Sequence, residues 1–395
     1  MFPPNPHVRV LTGPGLVADL RLLTEVADRE FAALGVGGTV SATSDVPGFR
    51  AALGSPDVLV VLPGPAPEAR RLFAERPDAV WLDLTRAGTP LSAAAGDVRD
   101  AGEGDARGAG EGDARGAAGT HIHGRGIWGL TWAIRHAVHR LRRPAHRVAY
   151  GDHPDQWAEV RHPHDEVPPG EAPAAAPSYG TGGRAPAVAL LHGGFWRSIW
   201  GADLMDALAV DLAQRGFTAW NLEYRRPDLH GWEATTEDVA RGVALAAESA
   251  PGPLVVIGHS AGGQLALRAA ADDRRITLAV SLAGVLDLAE GDRRHMSSGA
   301  VAAALGGSAA EVPEAYRSSG PLERLPLGVP QLIVQGGGDD LDLVDFGRRY
   351  ARAAQEAGDQ VTYLEMSGDH FDVIDPASPI WRATAGAVAE HHRPS

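Results

Sequence analysis

Ser260 stands between two glycines in Gly258-His-Ser-Ala-Gly262, directly after the apolar run Pro253-Leu-Val-Val-Ile257. A strand ending at Ile257 and turning at once into a helix at Ala261 would hold the serine on a sharp, strained corner. Glycines on both flanks remove the Cβ atoms that such a turn crowds, and they leave the hydroxyl projecting above the sheet edge. A serine hydroxyl is a poor nucleophile at neutral pH, so the pattern requires a histidine base and a carboxylate to orient it.

Candidates for both lie downstream. His370, in Gly368-Asp-His-Phe-Asp-Val-Ile374, follows the strand-like Val361-Thr-Tyr-Leu-Glu365. Asp339 follows the apolar Pro330-Gln-Leu-Ile-Val-Gln335 across three glycines, with Asp340 and Asp342 as competitors for the acid role. Asp339 is preferred because it lies nearest the strand end. Asp369 is disfavoured because adjacent side chains on a loop rarely face each other. The chain order Ser, Asp, His is that of α/β hydrolases.

Upstream, the buried-strand pattern Ala187-Val-Ala-Leu-Leu191 runs into His192-Gly193-Gly194-Phe195-Trp196. Backbone N–H groups of Gly193 and Gly194, free of Cβ obstruction, would join the N–H of Ala261 to cradle the oxyanion of a tetrahedral intermediate. Phe195, Trp196 and Trp200 add aromatic surface for an acyl or aryl group. Taken singly, each piece also fits an ordinary turn or a packed side chain. The reading rests on four pieces falling beyond strands in the right order.

The elements that must position these residues form the second of two α/β halves. In the first, strand patterns at Val8–Leu11, Gly38–Ala42, Asp57–Leu62 and Asp78–Leu84 alternate with helical patterns near 16–35, 45–54 and 66–76, and a last helix runs from about Trp128 to Leu141. Such alternation implies a parallel sheet covered on both faces. The fold class is therefore α/β throughout: a flavodoxin-like doubly wound domain over 1–143, then an α/β-hydrolase fold over 145–390. Within the first, the direct repeat Gly-Glu-Gly-Asp-Ala-Arg-Gly-Ala at 102–109 and 110–117 marks a disordered insertion over about 88–119. Within the second, a flexible loop is expected at about 165–186 and a small helical cap, which would shape access to the site, at about 287–327.

A length of 395 residues agrees with two domains. The chain has no cysteine, so disulfides and thiolate metal sites are excluded. A formal net charge of −14 argues against nucleic acid as a partner. No run approaches the roughly 18 apolar residues of a spanning helix, and Met1-Phe-Pro-Pro-Asn-Pro6 lacks the basic and apolar regions of a signal peptide. A cytoplasmic protein without a membrane partner is expected. His121-x-His123 and His162-x-His164 have no third ligand at a recognisable spacing, so neither a metal nor another cofactor is expected. Glu223 and Arg225 follow a strand end beside the site and read as an ion pair.

The motifs His192-Gly-Gly-Phe-Trp196, Asn221-Leu-Glu-Tyr-Arg-Arg226, Gly258-His-Ser-Ala-Gly-Gly263 and Asp369-His-Phe-Asp-Val-Ile374 together resemble the kynurenine formamidase (arylformamidase) branch of the α/β hydrolases and its esterase relatives, over about 145–385. The resemblance implies nucleophile Ser260, acid Asp339 and base His370. It departs at Phe195, where that family has tyrosine, which moves the expected substrate from a formamide toward a broader range of small esters and amides. More faintly, Leu11-Thr-Gly-Pro-Gly15, Val60-Val-Leu-Pro-Gly64 and Gly126-Ile-Trp-Gly-Leu-Thr-Trp132 resemble the type II dehydroquinases. That family's dehydratase chemistry needs a tyrosine after the first strand, and no tyrosine precedes Tyr150. The first domain therefore reads as a degenerate relative kept for binding or for homo-oligomer assembly. The expected function is a serine hydrolase acting on a small-molecule ester or amide. The alternatives are a 3-dehydroquinate dehydratase, or a binding protein whose triad is misassembled.

Overall fold

The computed structural model describes residues 6–85, 120–163, 185–249 and 252–391. The expected insertion at 88–119 and most of the expected loop at 165–186 lie outside the described residues. The chain divides into two compact units, Met1–Pro144 and Ala145–Ser395.

In the first unit, strands β1 (His7–Thr12), β2 (Gly37–Ala42), β3 (Val58–Leu62), β4 (Val80–Leu82) and β5 (Thr120–Ile122) form one sheet in the order β2-β1-β3-β4-β5. Every pairing is parallel, and this order is that of flavodoxin-like doubly wound sheets. Helices α1 (Leu20–Leu34), α2 (Val46–Leu53), α3 (Pro67–Arg70) and α4 (Gly129–Arg142) accompany it. Asp19 and Asp45 start α1 and α2 by accepting the Leu22 and Gly48 amides, and Gly35 ends α1 in a left-handed conformation at φ 61°. The third helical pattern, near 66–76, is α-helical only over α3 and continues as a 3-10 turn through Glu75. Packed side chains include Leu11, Phe49, Val61, Leu72 and Trp81. The fifth strand, β5, was not expected: it is three residues long and carries a polar pair, Thr120 and His121.

The second unit is built on eight strands: β6 (His146–Ala149), β7 (Trp157–Arg161), β8 (Ala187–Leu191), β9 (Thr218–Leu222), β10 (Leu254–His259), β11 (Ile276–Leu282), β12 (Gln331–Gly336) and β13 (Val361–Met366). Their spatial order is β13-β12-β11-β10-β8-β9-β7-β6. The opening hairpin β6–β7 and the β7–β9 pair are antiparallel, and the remaining pairs are parallel. Central strands β8, β9, β10 and β12 are buried along their whole lengths, which is why β8 and the first four residues of β10 read as unbroken apolar runs. The helices are α5 (Asp206–Gln214), α6 (Pro227–His230), α7 (Trp232–Ser249), α8 (Ala261–Asp272), α9 (Leu288–Arg293), α10 (Met296–Leu305), α11 (Pro313–Ser319), α12 (Leu341–Glu356) and α13 (Pro379–His391). Three of them, α9 to α11, occupy the stretch where a cap was expected.

Because β8, β10, β12 and β13 run parallel, their C-terminal ends share one sheet edge. The loops leaving those ends carry His192-Gly-Gly, Ser260, Asp339 and His370. Ligands of open α/β sheets bind at that edge.

Candidate active site

Ser260 is the single residue between β10 and α8, and its backbone sits at φ 55°, ψ −119°. A non-glycine residue there is strained by on the order of 1–3 kcal/mol. The surroundings enforce it. A Cβ on Gly258 would lie 1.9 Å from the Gly262 carbonyl oxygen, and a Cβ on Gly262 would lie 2.2 Å from that of Leu191. Only glycine admits the close crossing of α8 over the strand ends. The Ser260 amide donates to the Leu282 carbonyl at 2.8 Å, and its carbonyl accepts from Gly263 at 2.9 Å, so the corner is pinned from both sides.

The loop after β8 lies against this corner. A Cβ on Gly193 would sit 2.9 Å from the Cβ of Ser260. Gly194 has φ 109°, and Phe195 and Trp196 follow at φ 51° and 55°, a strained run of the kind that collects at functional sites. The N–H groups of Gly193, Gly194 and Ala261 donate to no backbone acceptor among the described residues. Ala261 opens α8, where the first amides have no intrahelical partner.

Asp339 and His370 meet. The Nδ1 of His370 lies 2.9 Å from Oδ2 of Asp339. That oxygen also accepts from Gln335 Nε2 at 2.9 Å, and Oδ1 accepts the Asp340 amide at 2.7 Å. The competing acids are occupied elsewhere: Asp340 accepts the Asp342 amide at the start of α12, Asp342 pairs with Arg294 at 2.5 Å, and Asp369 accepts the Phe371 and Asp372 amides. Proximity to the strand end and side-chain geometry select the same residue. A carboxylate at Nδ1 accepts a hydrogen bond from Nδ1–H, which keeps the proton on that nitrogen and leaves Nε2 as the basic nitrogen of the ring.

His259, immediately before Ser260, was not singled out by its type. Its ring centroid lies 4.7 Å from that of His370, and its Nε2–H donates to the His370 carbonyl at 2.9 Å. Full burial, then the neighbouring His370 charge, hold it well below the usual histidine range, so it is neutral. No hydrogen bond joins His370 to the Ser260 hydroxyl among the described residues. Such bonds commonly close only in the substrate complex.

The aromatic residues divide. Phe195 and Trp200 are half-buried beside the glycine loop, and a Cβ on Gly194 would lie 2.3 Å from Trp200. Trp196 is only 1% exposed and donates from its indole to Gln264 at 3.2 Å. It belongs to the core cluster rather than to an open wall. Gln264 donates in turn to the Ser319 carbonyl at 2.8 Å, and Trp232 donates to the Ser319 hydroxyl at 2.7 Å, so α11 is fastened to the elbow helix.

With this geometry in view, residues 188–374 match a protein family described as alpha/beta hydrolase fold. The second unit is an α/β hydrolase in fold. Comparison with curated proteins finds no match. Among solved structures, a bifunctional GH43-CE protein of Bacteroides eggerthii is similar at TM-score 0.51 and 15% identity, over 62% of this chain and 34% of that one. The chain thus spans about a third of that protein's length. A truncated carbohydrate esterase from gut microbiota is similar at TM-score 0.51 and 16% identity, over 62% of this chain and 94% of that one. At these identities the likeness is one of fold.

Glu223 is the other residue whose place the sequence underplayed. It pairs with Arg226, while Arg225 pairs with Asp238. Burial alone would push the Glu223 carboxyl up, but the charges of Arg226 and His192 and bonds from His192 and the Ala202 amide outweigh it and hold the group at about 2. Among the described residues, His153, Asp155 and His230 bring potential metal-ligand atoms within 4.8 Å of one another. Their donors do not suit a cation. The His153 Nδ1 already accepts the Asp155 amide at 3.1 Å, which places the proton of the neutral ring on Nε2, and the Arg226 guanidinium stands 3.4 Å from the Asp155 carboxylate. In the first unit, His121 and His123 stack with centroids 5.3 Å apart, and burial, with the His123 charge, lowers His121 to about 3. No helix among the described residues is long and apolar enough to cross a membrane.

Proposed function

We propose that the second unit is a serine hydrolase that cleaves a small carboxylic ester or amide, an arylformamide being one candidate, through an acyl-enzyme on Ser260. The observation that carries this is the strained Ser260, at φ 55° with the glycine loop against it, on the same sheet edge as the Asp339–His370 pair at 2.9 Å.

In this reading His370 Nε2 takes the Ser260 proton as Oγ attacks the carbonyl carbon. Asp339 holds the Nδ1–H and stabilises the imidazolium that forms. The tetrahedral oxyanion is received by the N–H groups of Gly193, Gly194 and Ala261, each worth on the order of 3 kcal/mol in the transition state. His370 then gives its proton to the leaving alcohol or amine. Water, activated by the same nitrogen, attacks the acyl group and regenerates Ser260. Phe195 and Trp200 border the loop on which the acyl or aryl group would rest. The lack of a tyrosine hydroxyl at Phe195 favours esters over formamides.

A panel of p-nitrophenyl esters and arylformamides tests this on the full chain and on Ser260→Ala. Turnover of a short-chain substrate that vanishes in a folded Ser260→Ala protein supports the reading. A folded wild-type chain inert across the panel contradicts it.

A further inference from the structure

Behind the glycine loop lies a buried charged chain that the hydrolytic scheme does not use. Both ring nitrogens of His192 face acceptors: Nδ1 the Gly193 carbonyl at 2.8 Å, and Nε2 the Glu223 carboxylate at 3.1 Å. A carbonyl and an ionised carboxylate can only accept, so a ring donating to both carries two protons; the Tyr224 hydroxyl also stands 3.5 Å from Nδ1. The ring of Tyr224 lies flat against it, centroids 4.3 Å apart at 8°, which places a π face against the imidazole. The Tyr224 hydroxyl donates to the His192 carbonyl at 2.7 Å. Glu223 is fixed by the Ala202 amide at 3.0 Å and the Tyr224 amide at 3.1 Å, and by Arg226, which itself lies 3.4 Å from Asp155. His192 is 1% and Glu223 7% exposed, so bulk water screens these charges little.

We propose that His192 is a positioning residue: an imidazolium held by Glu223 whose Nδ1–H anchors and polarises the Gly193–Gly194 peptide. The inference rests on the hydrolase reading of Ser260. In a planar trans peptide the N–H points opposite to the C=O. Fixing the Gly193 carbonyl on His192 therefore turns the Gly194 N–H away from the charged chain. A peptide whose carbonyl accepts from a cation is also a stronger donor at its N–H. The buried chain pre-sets an oxyanion donor before any negative charge develops, which is where electrostatic preorganisation acts.

Two measurements test it on the full chain. Ring ¹⁵N spectra of histidine-labelled protein at neutral pH should show an imidazolium, with both nitrogens protonated, that disappears in His192→Asn. A His192 ring carrying a single proton overturns the proposal whether or not the protein hydrolyses anything, and failure of the hydrolase reading shows separately as loss of all ester turnover in the wild type. In kinetics, Glu223→Gln should lower kcat at least tenfold at little-changed KM, because the oxyanion exists only in the transition state. Because Glu223→Gln leaves the buried Arg226 with Asp155 as its one remaining ion-pair partner among the described residues, a second pair guards against misfolding. His192→Asn keeps a donor where Nδ1 stood and should retain most of the kcat that His192→Leu loses. Equal kcat in His192→Asn and His192→Leu, or a change confined to KM, overturns the proposal.

Discussion

His259 donates from Nε2 to the backbone carbonyl of His370 at 2.9 Å, so the residue before the elbow serine holds the loop that carries the candidate base. The strand that presents the nucleophile and the loop that presents the base are one hydrogen-bonded unit. His259→Leu is expected to lower kcat about tenfold, the equivalent of about 1.4 kcal/mol, while His259→Gln, which keeps an N–H donor, recovers part of it. Steady-state kinetics on a p-nitrophenyl ester check this. Equal kcat in both variants would separate the bond from catalysis.

The choice among acids is open to a direct comparison. Asp339→Asn should lower kcat on the order of 10⁴-fold, as loss of the carboxylate that orients a catalytic histidine does. Asp342→Asn removes only a surface pair with Arg294 and is expected to leave kcat within about twofold and stability within about 1 kcal/mol.

Steric pressure at the elbow gives a stability prediction. Gly262→Ala would place a methyl 2.2 Å from the Leu191 carbonyl oxygen and 2.5 Å from that of His192. Both are strand-end backbone that cannot move aside without disturbing β8. A loss of about 3 kcal/mol is expected, at the upper end for overpacking, and is read from the urea midpoint at unchanged slope.

Much of this was legible in the sequence because the central strands are buried on both faces. Ala187–Leu191 coincides with β8 residue for residue, and the pattern at Pro253–Ile257 differs from β10 by one residue at its start and two at its end. That extension carries the strand through His259, straight into the strained corner. What escaped was what no local pattern encodes. β5 is three residues with little apolar signal and exists through its ladder to β4. The His192–Glu223 contact joins loops after two neighbouring strands, β8 and β9, so its partners lie 31 positions apart. Trp196 follows the glycine pair, yet the left-handed turn at Phe195 and Trp196 directs its ring into the core.

Buried groups set a pH dependence of stability. Neutral His259 refuses a proton that the unfolded chain accepts below about pH 6.5. Stability should therefore fall as pH drops below that value, by up to about 1.4 kcal/mol per unit. Glu223, held at about 2 against the ordinary 4.5 of a glutamate, works in a lower window. Its contribution is full above about pH 4.5 and is lost as pH falls toward 2. Urea midpoints at pH 7.5 and 5.0 read the histidine window, to which His121, held at about 3, also contributes: His259→Gln should show a smaller drop between the two than the wild type. An identical drop would remove His259 as its source.

The nucleophile itself is tested most directly by intact-mass analysis after treatment with a fluorophosphonate. One phosphonyl adduct per wild-type chain, mapped to Ser260 and missing from folded Ser260→Ala, is the predicted result. A folded wild-type chain that takes up no adduct, or an adduct that persists in Ser260→Ala, would contradict the account.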